Sequence, residues 1–154
     1  KDGDLGEFVD VDKDGILEFI GNDWTFSYWN ASFAGSPAPQ VILEYKDGEY
    51  QLALEKMRKP LDEVYYEKFL KDTKLSKVNA TTNANSGWSN GEIVAPSEVW
   101  KYMLDLIYSG HSQEAFTLID TIWPTGIKGK EDFLKDFKSQ LSESPFWKDI
   151  KSIL

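Results

Sequence analysis

Asp10, Asp12 and Asp14 stand at alternate positions in the stretch Asp10-Val11-Asp12-Lys13-Asp14-Gly15-Ile16-Leu17-Glu18. Gly15 follows the third aspartate, and Glu18 comes three residues after the glycine. Clustered oxygens of this kind suit a hard divalent cation, above all Ca²⁺, which takes about six to eight oxygen ligands. The candidate ligands are the carboxylates of Asp10, Asp12, Asp14 and Glu18, together with the Ile16 carbonyl. Gly15 permits the reversal that turns these groups inward, because no Cβ forbids φ > 0. Carboxylates this close repel one another. A cation among them would relieve that repulsion and couple its binding to folding.

An EF-hand places its bidentate glutamate at the twelfth position of the loop. Gly21 stands there, so the EF-hand pattern fails. The flanks, Phe8-Val9 before the loop and Ile16-Leu17-Glu18-Phe19-Ile20 after it, are short and strand-like. A loop joining two strands fits them better. The run Phe8 to Gly15, followed by Leu17-Glu18-Phe19-Ile20-Gly21, resembles the FG-GAP (VCBS-type) repeat of integrin-like β-propellers and many secreted bacterial proteins. In that family the loop commonly binds Ca²⁺, which implies Asp10, Asp12, Asp14, Ile16 and Glu18 as ligands. Lys13 stands where the repeat often has glycine, and Glu18 where many repeats have aspartate. A propeller needs several blades of about four strands, and this chain holds one such sheet.

The elements that must hold the loop follow from periodicity. Residues 7–11 and 16–21 read as the hairpin around it. Trp24-Thr25-Phe26-Ser27-Tyr28 alternates aromatic with small or polar residues, which predicts a strand with Trp24, Phe26 and Tyr28 facing a core. Val41–Tyr45 and Glu49–Leu54 flank Asp47-Gly48, a strong hairpin signal. Residues 1–58 thus read as an antiparallel meander of four or five strands. Residues 59–154 read as a covering layer of four or five helices, in an α+β fold that forms one compact domain. The first helix runs from Pro60 to about Leu75, with Leu61, Val64, Tyr65 and Phe69 on its apolar face. Two more span about 96–109 and 112–123, divided by Gly110, and this pair resembles a tetratricopeptide-type helical hairpin as well as an ordinary αα-hairpin. Residues 130–142 and a short segment after Ser144-Pro145 complete the set. Residues 79–92 are polar and low in complexity, so a loop is expected there.

The net charge of −9 argues against a nucleic-acid partner, which demands a basic surface, and against docking on anionic lipid. The chain has no cysteine, which removes disulfides and thiolate metal sites. No stretch is apolar for long enough to insert in a membrane. The chain opens on Lys1 without a methionine, and a removed secretory signal would account for that. A weak calcium loop also suits a calcium-rich compartment. Both point to a secreted or periplasmic protein.

Other chemistry is sparse. His111 is the only histidine, no Gly-x-Ser-x-Gly elbow occurs, and a surface or capping role is expected for it. Asp23 beside Trp24 and Glu44 beside Tyr45 are conceivable as paired acids of a glycan hydrolase, but spacing selects neither. Six tryptophans, seven tyrosines and nine phenylalanines supply core and contact area. Among them Trp29 breaks the alternation of its strand, and Trp88 sits in a polar segment. Both are candidates for rings offered to a ligand, with core packing as the alternative for Trp88. Asn30-Ala31-Ser32 and Asn79-Ala80-Thr81 match glycosylation acceptors. The functional expectation is a secreted or periplasmic binding module with a structural Ca²⁺ loop and a protein or glycan partner. The alternatives are a cell-envelope glycan hydrolase and a structural appendage of a larger secreted assembly.

Overall fold

The computed structural model describes residues 6–77 and 87–154 of the chain. The Asn79 acceptor sequence and the segment before Gly6 lie outside the described residues.

Strands β1 (Glu7–Val9), β2 (Glu18–Asn22), β3 (Gln40–Lys46) and β4 (Glu49–Leu52) form an antiparallel sheet in chain order, the expected meander. Phe8, Phe19, Leu43 and Leu52 lie in one row across all four strands. That row is graded: Phe8 is 57% exposed and Leu52 only 5%, so the β4 side meets the core while the β1 side faces water. Asp47 and Gly48 both take positive φ, 53° and 88°, which is the backbone a two-residue hairpin of this twist requires.

The fifth predicted strand does not form. Residues 24–30 are a run of turns, in which Ser27 N–H donates to Trp24 O at 2.8 Å and Trp29 N–H to Phe26 O at 3.2 Å. Asp23 causes this. Its Oδ1 accepts from Thr25 N–H at 2.9 Å and from Thr25 Oγ1 at 2.5 Å, a local bond pair that competes with extension. Tyr28 and Asn30 then take left-handed φ of 60° and 50°. Only Phe26 of the three alternating aromatics is buried. Trp24 and Tyr28 are exposed.

The helical layer comprises α1 (Leu54–Met57), α2 (Glu63–Asp72), α3 (Ser97–Tyr108), α4 (Ser112–Ile122), α5 (Lys130–Leu141) and α6 (Trp147–Ile150). Asp62 caps α2 by accepting from Tyr65 N–H at 2.9 Å. The buried face of α2 is displaced from the expected one: Tyr66 is inside and donates to Glu114 O at 3.0 Å, whereas Val64 is 81% exposed. Helices α3 and α4 carry the stripes their sequences require, with Trp100, Met103, Leu104 and Ile107 facing Leu118 and Ile119 in one core. Gly110 between them takes φ of 91°, the left-handed cap that glycine allows. Phe133, Phe137 and Leu141 of α5 join the same core as Val41 and Leu52 of the sheet, so the two halves share one interior.

A second sheet forms around the end of the polar segment, with only Trp88–Ser89 drawn from it. Strands β5 (Ser76–Lys77), β6 (Trp88–Ser89) and β7 (Ile93–Ala95) pair antiparallel in the order β5-β7-β6. Ile93, Val94 and Ala95 are all buried. No helix among the described residues is long and apolar enough to cross a membrane.

One buried acid joins the layers. Asp23, at the end of β2, is 3% exposed. Its Oδ2 accepts from Tyr108 OH of α3 and from Ser144 Oγ, just after α5, both at 2.6 Å. Burial, and next the nearby Asp23 charge, push the Tyr108 hydroxyl well above its ordinary pKa, so it stays a donor. Tyr108→Phe should therefore cost about 1.5–3 kcal/mol, the value of a hydrogen bond to a charged group. Urea unfolding at neutral pH reads this directly, and an unchanged midpoint would mean that the bond contributes nothing.

Candidate functional site

The Asp-rich loop sits between β1 and β2, and its own carboxylates fold it. Asp10 accepts from Asp14 N–H through Oδ1 and from Gly15 N–H through Oδ2, both at 3.0 Å. Asp14 Oδ1 accepts from Ile16 N–H at 2.8 Å. Lys13 at φ 63° and Gly15 at φ 89° make the reversal. A Cβ on Gly15 would meet no atom within 4 Å, so the demand for glycine there is conformational and not a matter of space.

Glu18 is the first residue of β2 and is 1% exposed. Its Oε2 accepts from Val11 N–H at 2.9 Å. Asp10, Asp12 and Glu18 each place one carboxylate oxygen within 4.8 Å of the others, so these three could hold a metal ion. Asp14 stands outside this trio, its carboxylate turned to the Ile16 amide. Ile16 is exposed and follows the reversal at Gly15.

A residue that sequence spacing did not indicate completes the site. Lys56 of α1 reaches across to place Nζ 2.6 Å from Glu18 Oε1 and 2.9 Å from Asp12 Oδ2. Thirty-eight residues separate Lys56 from Glu18, and nothing in the run around Lys56 marks it out from its neighbours Arg58 and Lys59. Its ammonium neutralises the carboxylates from the position a cation would share. The hydrogen bond from Lys56 holds both Asp12 and Glu18 below the usual carboxylate range, and for Glu18 the Val11 amide adds to this. The same bonds, to Glu18 first and then Asp12, hold Lys56 above its ordinary pKa.

The two aromatic ligand candidates lie otherwise than expected. Trp88 is 4% exposed, with its Nε1–H donating to Asp136 Oδ2 at 3.0 Å and its ring edge-on to Phe133. The core-packing alternative is the one it adopts, because β6 pairs it inward against β7. Trp29 is half-buried, edge-on to Trp100 at 5.1 Å and to Phe26 at 5.2 Å. Exposed rings near Trp29 are Trp24, Tyr28 and Phe33, where Trp24 and Phe33 stack at 5.6 Å and Tyr28 lies 5.5 Å from Phe33; Phe8, Tyr45, Tyr50 and Tyr65 are exposed elsewhere.

The sequence candidates for acid catalysis do not converge. All four acceptor contacts of Asp23 are made inside the fold. Glu44 lines a recess with Lys46, Lys56 and Asp149, away from Asp23. His111 precedes α4, and its Nε2 lies 2.7 Å from Lys59 O. A carbonyl only accepts, so the ring donates there as a tie between loops. Compared with protein-family models, curated proteins and solved structures, the chain has no match in any of the three.

The lowered carboxyl pKa values of Asp12 and Glu18 stabilise the fold above their unfolded values, near 3.8 and 4.5. That contribution is lost as pH falls through the lower folded values. The raised Lys56 value contributes at every pH below about 10.5 and is lost only above it. In chelator, Lys56→Met should lower the melting temperature at pH 7 and lessen the further fall between pH 5 and pH 3. Parallel pH profiles for wild type and variant would show that the ion pair is not linked to folding.

Proposed function

We propose that the chain is a secreted or periplasmic binding module whose Asp10–Glu18 loop takes a structural Ca²⁺. The observation that carries this reading is the convergence of Asp10, Asp12 and Glu18 oxygens within 4.8 Å on a hairpin loop. The resemblance of that hairpin to FG-GAP repeats supports both the choice of Ca²⁺ and an extracellular or periplasmic home. A hard dication draws on several carboxylates at once, whereas the single charge of Lys56 is shared between two. Bound Ca²⁺ would take over Asp12 and Glu18 and leave Lys56 free to move aside. The Ile16 carbonyl, next to the reversal, would add a neutral ligand, and Asp14 would rotate from the Ile16 amide to contribute.

The same module meets its partner through the turn that carries Trp24, Tyr28 and Phe33. Exposed aromatic faces stack on sugars or on partner loops, and all three rings are open to solvent. Their backbone is held in a left-handed conformation at Tyr28, a strained position that turns the ring outward.

Thermal and chemical melts with Ca²⁺ against a chelated control test the loop. Calcium at a hundred times its Kd should stabilise the protein by about 2.7 kcal/mol, and Glu18→Gln should remove most of that gain. Magnesium at the same concentration should give much less, because it demands a tight octahedral shell that this open loop does not offer. Identical melts with calcium and with chelator would sink the calcium reading and leave a lysine-closed acidic turn.

A further inference from the structure

A cavity of about 390 Å³ opens between the start of β3, the 59–62 connector, α2 and α3, with Met57 of α1 in its lining. That volume is in the range of small-molecule sites. Ile42, Met57, Leu61 and Leu106 give it an apolar lining, and Tyr65 and Tyr102 form an aromatic wall, their rings edge-to-face at 5.0 Å. Asp105 is the acid on the α3 side. Asp105 is exposed at the cavity rim; among the described residues its carboxylate accepts no hydrogen bond and has no ammonium within 4.0 Å, while Lys59, which lines the same cavity, and Lys101 act on it from farther away. The other acid in the lining, Asp62, is already engaged as the cap of α2.

An unengaged carboxylate beside two tyrosine faces, over an apolar floor, is the recognition chemistry of an organic cation. The carboxylate supplies a charge-assisted hydrogen bond, and the rings supply cation–π attraction. Partial burial of the Asp105 carboxyl against the cavity raises its pKa, against the opposing pull of Lys101 and Lys59. Burial likewise pushes the Tyr102 hydroxyl up to about 12, which keeps it protonated beside the charge. The net charge of −9 favours the approach of a cation.

We infer that this cavity binds a small organic amine, with its ammonium on Asp105 beside Tyr65 and Tyr102 and its hydrocarbon body over Ile42, Met57, Leu61 and Leu106. This is independent of the metal loop. Calorimetric or NMR titration with 2-phenylethylammonium, and with 2-phenylethanol as its neutral counterpart, tests it. The amine should bind at least about tenfold tighter than the alcohol, the ratio expected of one charge-assisted hydrogen bond. Asp105→Asn should remove that preference while leaving the melting temperature nearly unchanged, since Asp105 has no side-chain partner among the described residues. Tyr65→Leu, at a half-exposed ring, should weaken the amine severalfold and the alcohol less. Equal binding of the two compounds would overturn the inference and leave an apolar recess. Unaltered amine binding in Asp105→Asn, or no binding at millimolar amine, would overturn it as well.

Discussion

The molecule is arranged around the burial of one carboxylate. Removing a charged group from water is tolerated only when hydrogen bonds replace the lost hydration, and Asp23 obtains four contacts from three places in the chain. Thr25 supplies two of them locally, and this bends the backbone out of the sheet. Tyr108 and Ser144 supply the others and thereby fix the sheet against α3 and the α5–α6 corner. Where the aromatics go follows from that bend. Phe26 drops beneath it, against Phe137 and Trp29, and the rings on either side are turned out to water. The exposed surface of the proposed module is thus a by-product of satisfying a buried acid.

Local rules carried far into this chain, and they stopped where distant residues decide. Asp47-Gly48, Gly110 and the stripes of α3, α4 and α5 behaved as their composition requires, because turn backbone and amphipathic spacing are properties of a few neighbours. The turn at Asp10 could likewise be read, since the hydrogen bonds from its own backbone amides span seven residues or fewer. Trp24–Tyr28 alternates as well as any strand, and the alternation lost to an aspartate whose burial depends on Tyr108, 85 residues away. Trp88 lies in what reads as polar loop, and Ile93–Ala95 does not read as a strand, because two or three residues per strand are too few for a period to show. Tyr66 rather than Val64 faces inward on α2 because a carbonyl of α4 accepts its hydroxyl. Lys56 could not be singled out, for its role exists only once α1 has folded back over the hairpin.

The acidic loop and the cavity are joined by α1, only four residues long. Lys56 reaches the acidic trio from this helix, while Met57, the next residue, lines the cavity. Successive residues of a helix point about 100° apart, so a single turn serves both sites without either sharing a side chain. The loop therefore owes part of its closure to an element outside its own hairpin.

The spacing of these contacts along the chain also sets the order in which the protein can complete itself during synthesis. The acidic loop closes its own amides within a few residues, and Lys56 follows 38 residues after Glu18. Ser144, by contrast, is translated 121 residues after Asp23. At ribosomal speeds of about 5–20 residues per second, that gap lasts about 6–24 s. Throughout it the β2 end carries an acid that cannot yet be sealed, and the sheet cannot settle on its helices. The interior between sheet and helices therefore closes last at the corner where Phe137 covers Phe26 and Ser144 reaches Asp23.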